Sequence, residues 1–175
     1  MLEIEIKVKV SNIDRIKTNI LTIGGIHSET VVEDDLYYNA PHRDFGITDE
    51  ALRVRSAGGK TTLTYKGPKN TLMGSKIREE YNVLIEDPKS FDIILNNLGF
   101  KQVTRVRKLR EYYTYQNFSI ALDQVDSLGQ FVEIELITEN NAENAAHRVD
   151  NLAEKLGVSG ERLSISYLEL LLSKH

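Results

Sequence analysis

Acidic and basic side chains alternate with apolar ones near both ends of the chain. Glu3, Glu5 and Lys7 occupy alternate positions in MLEIEIKVKV, and Glu133 and Glu135 do so in QFVEIEL. Closely spaced carboxylates repel one another and take up protons unless a cation lies between them. Carboxylate oxygens without His or Cys beside them suit Mg²⁺ or Mn²⁺. The two segments therefore indicate chemistry that is assisted by a divalent cation.

Basic residues recur with the same alternation through the middle of the chain. They are Arg53 and Arg55 in ALRVRS, Lys66 in TLTYKGP, Arg78 in SKIREEY, and Lys108 and Arg110 in RKLREYY. Asp123 holds a similar position in FSIALDQV. Guanidinium groups match the geometry of phosphate oxygens. A surplus of such cations beside metal-binding carboxylates predicts a polyphosphate ligand chelated by the metal.

Strands must position these side chains, because successive residues of a strand point to opposite faces. Each segment is predicted to have one charged and one apolar face. Strands are predicted at 2–10, 31–38, 51–55, 61–66, 76–85, 108–115, 118–124 and 130–137. Eight mostly antiparallel strands are enough to close a barrel.

Four predicted helices supply apolar stripes that must also be buried. One is capped by Ser11 and ends at Gly24-Gly25, one begins at Asp87-Pro88 with Phe91, Ile94, Leu95 and Leu98 inward, and two span about 142–156 and 167–172. Since these stripes need an apolar surface, the helices should pack outside and the charged faces should point inward. The predicted fold class is α+β, an eight-stranded antiparallel closed β-barrel, or tunnel, with a charged interior and helices outside.

Composition limits the function classes. The chain has 175 residues, 41% of them hydrophobic, and a net charge of −4, which favours a single domain over residues 1–175 and gives no sign of disorder or a membrane span. An acidic chain is a poor candidate for binding nucleic acid. The absence of cysteine excludes disulfides and thiolate chemistry. Since the N-terminus has no long apolar segment, we expect no signal peptide, no membrane partner and a cytoplasmic location.

Together the motifs resemble those of the CYTH, or triphosphate tunnel metalloenzyme, superfamily. They are Glu3-x-Glu5-x-Lys7, LRVR, LTYKGP, Lys108-x-Arg110, Asp123 and the GxFxExE run from Gly129 to Glu135. The superfamily includes class IV adenylyl cyclases, thiamine triphosphatases and inorganic triphosphatases, and the resemblance extends over nearly the whole chain. One departure is Asn39, where members often have Asp.

The resemblance implies a tunnel that binds a triphosphate with Mg²⁺ or Mn²⁺. The implied metal ligands are Glu3, Glu5, Asp123, Glu133 and Glu135. The implied substrate-binding residues are Lys7, Arg53, Arg55, Lys66, Arg78, Lys108 and Arg110. Glu3, Glu5, Lys7 and Glu135 are the implied catalytic residues, and a homodimer is suggested by the resemblance alone.

Two reactions and a third, non-catalytic role fit these residues. The first is metal-dependent hydrolysis of inorganic triphosphate or a triphosphorylated organic compound. The second is the class IV adenylyl cyclase reaction, in which the ribose 3′-hydroxyl attacks the α-phosphorus of ATP and pyrophosphate leaves. The third is a polyphosphate- or nucleotide-binding module without turnover. We favour hydrolysis, because no group of residues that would read adenine is evident.

Two weaker signals have simpler structural interpretations. GGKTT at 58–62 resembles the end of a phosphate-binding P-loop, but Val54 stands where that motif requires glycine. A hairpin turn is therefore expected at Gly58-Gly59. The tyrosines at 112, 113 and 115 are interpreted as packing residues rather than as a surface for stacking a base.

Overall fold

In the computed structural model, residues 2–68, 70–72, 75–77, 79–138 and 142–173 are described. The strands are β1 (Leu2–Val10), β2 (Ile26–Asn39), β3 (Ala51–Ala57), β4 (Lys60–Lys66), β5 (Asn70–Leu72), β6 (Ser75–Ile77), β7 (Glu80–Ile85), β8 (Lys101–Tyr115), β9 (Phe118–Val125) and β10 (Gly129–Thr138). The helices are α1 (Ile13–Thr22), α2 (Phe45–Thr48), α3 (Pro88–Asn97), α4 (Ala142–Leu156) and α5 (Tyr167–Leu172). None of these helices is long and apolar enough to cross a membrane.

Eight of the strands form one sheet in the order β1-β10-β9-β8-β2-β3-β4-β7, and every strand pair whose register is described is antiparallel. This confirms the predicted α+β class with eight antiparallel strands. The strand predicted at 76–85 is instead divided between the β5–β6 hairpin and β7. The one-turn helix α2 was not predicted, because four residues are too few to show helical periodicity.

The chain forms two compact units, one of Met1–Val32 with Lys108–His175 and one of Glu33–Arg107. In the first unit, β1, β10, β9 and β8 present their apolar faces to α1 and α4. Ile20, Ile134, Val149 and Leu156 are fully buried in this core. Packing of these two helices against apolar strand faces, as predicted, therefore holds within the first unit.

The sequence places both ends of α1 nearly correctly. The Asn12 side chain caps the helix by accepting a hydrogen bond from the Arg15 backbone N–H at 3.0 Å, so the prediction of Ser11 as the cap was wrong by one residue. Gly24 ends the helix at φ +91°, a conformation that side chains disfavour. Gly25 follows so close to Ile20 that a Cβ would lie 2.4 Å from the Ile20 Cγ2 atom.

In the second unit, the outer faces of β2, β3 and β4 pack against α2 and α3 around Tyr38, Leu52 and Leu95. Asp87 caps α3 by accepting hydrogen bonds from two backbone N–H groups, as its position before Pro88 predicts. The predicted inward face of α3 is too wide, however. Leu95 is buried and Phe91 packs beside it, whereas Ile94 and Leu98 are 52% and 62% exposed. The reason is that a single side of this helix meets the strands.

The turn at Gly58-Gly59 joins β3 to β4, and both glycines have positive φ. This confirms the predicted hairpin in place of a P-loop. A phosphate-binding loop would have to lead into a helix, and here the chain continues directly into a strand.

Glu50 should make the second unit sensitive to acid. Its carboxylate accepts hydrogen bonds from Arg43, Thr48 and Tyr65. These bonds lower the pKa of Glu50 to about 2, and the bond from Arg43 has the largest effect. Because the pKa is lower in the folded than in the unfolded chain, the stabilisation is complete above the unfolded pKa, about 4.3, and is lost as the pH falls towards 2.

We therefore expect Glu50→Gln to reduce the free energy of unfolding by about 2 kcal/mol at pH 7. The difference from the wild type should shrink between pH 4.5 and 2. Urea titrations followed by circular dichroism at several pH values measure both effects. The control is Glu86→Gln, which changes an exposed glutamate in the same unit. A difference that stays constant over this pH range would contradict the prediction.

Candidate functional site

Strand register in the first unit brings the alternating charged residues onto one face. Glu5 lies directly opposite Glu135, and Lys7 lies opposite Glu133. On the other side of β10, Glu133 lies opposite Ala121, and on β8 and β9 Arg110 lies opposite Asp123. Directly opposed residues share a face of the sheet. The charged face predicted from the sequence is thus present in this unit.

An ion-pair chain runs across this face from β1 to β9. The Lys7 Nζ atom lies 3.1 Å from the Glu133 carboxylate. Arg110 donates to the same carboxylate at 2.5 Å and to both oxygens of Asp123, at 2.6 and 2.5 Å. Lys108 is also buried on this side, at 2% exposure. Lys9, whose Nζ atom lies 5.8 Å from the centre of the Phe131 ring, is on the same face. Among the described side chains, the face therefore combines four cations with four carboxylates, counting Glu5 and Glu135.

The side chains of this ion-pair chain are buried, and their pairing keeps them charged. The Asp123 side chain is fully buried, and that of Glu133 is 14% exposed. Burial alone would raise the pKa of Glu133, but the positive charges of Arg110, Lys7 and Lys108 outweigh it and lower the pKa. Glu133 is consequently ionised at neutral pH. Buried charges of this kind are stable only when paired, so the pairing defines the side-chain geometry.

Tyr167, the first residue of α5, completes this cluster. Its hydroxyl donates a hydrogen bond to the Asp123 Oδ2 atom at 2.7 Å. Burial, together with the charges of Glu133 and Asp123, raises the pKa of Tyr167, so the hydroxyl keeps its proton. The Lys7 and Lys108 Nζ atoms lie 4.6 and 5.6 Å from the centre of its ring. We call Lys7, Lys108, Arg110, Asp123, Glu133 and Tyr167 the first-unit cluster.

Glu5 and Glu135 are the carboxylates best placed to hold a divalent cation. They are opposite one another on neighbouring strands, and hard oxygen donors fit Mg²⁺ or Mn²⁺. Asp123 and Glu133 face the same side and accept hydrogen bonds from Arg110, and Glu5 lies 4.0 Å from the Lys7 Nζ atom. Within the described residues, no three acidic or histidine side chains converge as a ready-made metal site. The donor chemistry fits the cation, and two glutamates offer the starting ligands.

A second charged group lies on β2 and β3 of the other unit. Arg55 makes a two-fold contact with Asp35, at 2.6 and 2.7 Å, and its third nitrogen lies 2.9 Å from the Glu33 carboxylate. Both acids are almost fully buried. Asp35 also lies 3.9 Å from the Arg53 guanidinium. The two arginines are thereby held on the face predicted to be charged.

Polar side chains of β4 and β7 extend this second-unit face. Arg53 donates to the Thr64 hydroxyl at 3.2 Å, and that hydroxyl donates to the Asn82 side chain at 2.6 Å. Lys66 pairs with Glu80 at 2.8 Å. The Nε atom of Arg53 is buried and has no hydrogen-bond partner among the described residues. A buried guanidinium N–H in this state favours an additional acceptor such as a phosphate oxygen.

The structure brings most of the predicted site residues together within their own units. Lys7, Lys108, Arg110, Asp123 and Glu133 meet in the first-unit cluster. Arg53, Arg55 and Lys66 share the second-unit face. Arg78 lies outside the described residues, as does the side chain of Glu3, whose backbone pairs with Ile137.

Sequence reasoning missed three members of these groups. Glu33 and Asp35 alternate in VEDDLYY and could have been found by the same period-two signal that identified Arg53 and Arg55. Tyr167 had no such signal, because it begins a leucine-rich helix that follows a loop.

Two further predictions concern individual side chains. Tyr113 is buried in the first-unit core and Tyr115 packs against it, as expected. Tyr112 instead shares the charged face with Arg110, whose guanidinium lies 5.5 Å from its ring centre. Asn39 is used within its own loop, where its side-chain oxygen accepts hydrogen bonds from the backbone of Ala40 and Phe45.

An antiparallel α+β sheet that carries clustered acids and bases on one face is the arrangement expected of the tunnel metalloenzymes. The chain belongs to the CYTH domain family, which matches residues 1–166. Members of this family are enzymes, either adenylyl cyclases or triphosphatases, and are generally dependent on divalent metals. The fold class and the resemblance inferred from the sequence are thereby confirmed.

Individual relatives cover almost the whole chain. MJ0240 of Methanocaldococcus jannaschii, provisionally named an adenylate cyclase, is 36% identical over 173 residues, covering 97% of this chain and 98% of the relative. The adenylate cyclase CyaB of Aeromonas hydrophila is 25% identical over 169 residues, covering 92% and 83%. The solved structure of the PH1819 protein from Pyrococcus horikoshii OT3 is 38% identical, with a TM-score of 0.83 and 99% of both chains covered.

Proposed function

We propose that this protein hydrolyses a triphosphate substrate, inorganic triphosphate or a triphosphorylated organic compound, with the help of Mg²⁺ or Mn²⁺. The observation that carries the proposal is the ion-pair chain of Lys7, Glu133, Arg110 and Asp123 on the charged face. A face that only captured an anion would need cations alone. Carboxylates interspersed with the cations instead suit a substrate that arrives with a metal.

The cations of the first-unit cluster bind and orient the phosphate groups. Arg110 and Lys7 lie close together because they share Glu133 as a partner, and both bring a positive charge to the phosphate groups. Lys108 adds a third positive charge from the same strand as Arg110. Water attacks the terminal phosphorus, and the leaving group is pyrophosphate from inorganic triphosphate or the organic diphosphate from an organic substrate. These cations stabilise the negative charge that develops on the leaving oxygen.

Glu5 and Glu135 would hold the divalent cation, with Glu3 and Glu133 as further acids of the same two strands and Asp123 as a further acid on β9. When bound, the cation neutralises phosphate charge and lowers the pKa of a coordinated water. The position of Glu135 opposite Glu5 prepares two carboxylates for this role. Among these acids, we expect Glu135 to contribute most to kcat.

The arginines of the second unit bind further phosphate oxygens in this proposal. Arg53 and Arg55 are held by buried acids, so they are oriented before substrate arrives. The Nε atom of Arg53 provides a donor for an incoming oxygen. Lys66 and Arg78 are assigned the same role from their positions in the sequence motifs.

Adenylyl cyclase activity is the second candidate, because MJ0240 and CyaB carry that name. The same cations and acids would serve it, with the ribose 3′-hydroxyl in place of water. Cyclisation needs surfaces for adenine and ribose in addition to the triphosphate site. Among the described residues, no motif or cluster forms a set that would recognise adenine. For this reason we favour hydrolysis.

Product analysis separates the candidates. Purified protein is incubated with Mg²⁺ or Mn²⁺ and either inorganic triphosphate or ATP. Hydrolysis predicts orthophosphate and pyrophosphate from inorganic triphosphate, and cyclisation predicts cyclic AMP and pyrophosphate from ATP. Excess chelator should abolish turnover, and re-addition of the cation should restore it. Binding of triphosphate without any product over a broad pH range would reject both reactions in favour of a binding module.

A further inference from the structure

We infer that Tyr167 is a positioning residue of the first-unit cluster, with its hydroxyl orienting Asp123, an acid of the proposed cation site, and its ring holding the phosphate-binding lysines. The inference rests on the proposed function, because it assigns ligands to the same site. The motifs that carry the resemblance end at Glu135 and do not include this residue.

The hydroxyl of Tyr167 acts on Asp123. This carboxylate is fully buried and accepts hydrogen bonds from Arg110 and Tyr167. Tyr167 and Arg110 both donate to the Oδ2 atom, so together they fix the plane of the carboxylate. Partners that orient a carboxylate govern how well it and its neighbours receive a metal ion. Removing the hydroxyl leaves Arg110 as the remaining hydrogen-bond donor to Asp123 among the described residues.

The ring of Tyr167 acts on two lysines. Lys7 and Lys108 approach the Tyr167 ring from β1 and β8, at 4.6 and 5.6 Å from its centre. An aromatic face attracts an ammonium group and is a weak, non-competing partner for it. Phe131 packs edge-on against the ring at 5.0 Å between centres. The ring therefore holds both ammonium groups on the charged face without neutralising them.

The chain before α5 fixes Tyr167 in place. We call residues 160–166 the C-terminal tether. Leu163 donates a backbone hydrogen bond to the Lys7 carbonyl oxygen at 2.8 Å, and Arg162 forms a β-bridge with Val8. A Cβ on Gly160 would lie 2.6 Å from the Lys9 carbonyl oxygen, so this approach requires glycine. Ser166 then starts α5 with a capping box. The tether is thus bound to β1, and it holds Tyr167 beside the strand that carries Glu5 and Lys7.

Two variants separate the hydroxyl from the ring. Tyr167→Phe keeps the ring and its packing on Phe131, so it should bind Mn²⁺ about tenfold more weakly than the wild type with unchanged affinity for inorganic triphosphate in the absence of metal. Tyr167→Leu removes both the hydroxyl and the aromatic ring, so it should also weaken metal-free triphosphate binding by about fivefold. The control is Tyr115→Phe, because the Tyr115 hydroxyl lies on the opposite side of β8 beside Lys155; it should change neither affinity.

Mn²⁺ binding is measured by electron paramagnetic resonance without substrate, and triphosphate binding by calorimetry in excess chelator. Circular dichroism checks the fold, and if Tyr167→Leu does not fold, the Mn²⁺ affinity of Tyr167→Phe decides. Wild-type affinity for Mn²⁺ in Tyr167→Phe would overturn the inference. A wild type that binds neither ligand would reject the proposed function and this inference together. A wild type that binds both but forms no product would reject the reaction alone.

Discussion

Replacing Glu135 by glutamine is expected to reduce kcat for triphosphate hydrolysis by about 100-fold or more, because a cation that is held poorly supplies several kcal/mol less to the transition state. Glu135 lies opposite Glu5 at the centre of the β1–β10 pair. Glutamine has the same shape but lacks the charge that attracts the cation. The fold should therefore survive the substitution, and thermal unfolding should show a melting temperature close to that of the wild type.

Steady-state kinetics at saturating Mg²⁺ test this expectation, with orthophosphate release as the signal. Glu154→Gln is the matched control, since Glu154 is exposed on α4. Its kcat should equal that of the wild type. Near-normal turnover in Glu135→Gln would remove this carboxylate from the reaction and would direct attention to Glu3 and Glu133 as the metal ligands.

Replacing Arg110 by methionine is expected to have the largest effect on stability, about 3–5 kcal/mol, because it leaves carboxylates buried without their main cation. Arg110 donates to both oxygens of Asp123 and to Glu133. Asp123 has no access to water. Desolvation of its charge would then be offset mainly by the hydroxyl of Tyr167. The free energy of unfolding from urea titration at pH 7 measures the loss.

A double variant distinguishes this mechanism from simple loss of packing. In Arg110→Met with Asp123→Asn, the uncompensated charge disappears together with the cation, so the loss should be smaller than in Arg110→Met alone. The matched control is Arg162→Met, which removes an exposed pair with Asp150 and should cost less than about 1 kcal/mol. Equal losses in the single and the double variant would show that buried charge is not the cause.

The features that the sequence predicts best are those with strict alternation. β1 and β10 follow from their alternating residues, and the register confirms that Glu5, Lys7, Glu133 and Glu135 share a face. This works because a strand with one buried face has only one acceptable register. The helices α4 and α5 were predicted with the observed bounds, because one segment is rich in alanine and the other in leucine, both good helix formers.

Side-chain contacts outside the alternating strands, between residues far apart in the sequence, were not predicted. The hydrogen bond from Tyr167 to Asp123 joins residues 44 positions apart, and no local pattern encodes such a distance. The exposure of Ile94 and Leu98 was missed for a similar reason. Helical periodicity identifies an apolar side of a helix, but how much of it is covered depends on which strands lie beneath it.

The shared use of Glu133 by Lys7 and Arg110 has a thermodynamic consequence for the proposed reaction. A phosphate group that recruits either cation weakens its hold on Glu133 and so raises the negative charge available to Mg²⁺. An arriving Mg²⁺ that recruits Glu133 likewise frees Lys7 and Arg110 for phosphate. Substrate and metal should thus bind with positive heterotropic cooperativity, and linkage requires each to increase the affinity for the other by the same factor.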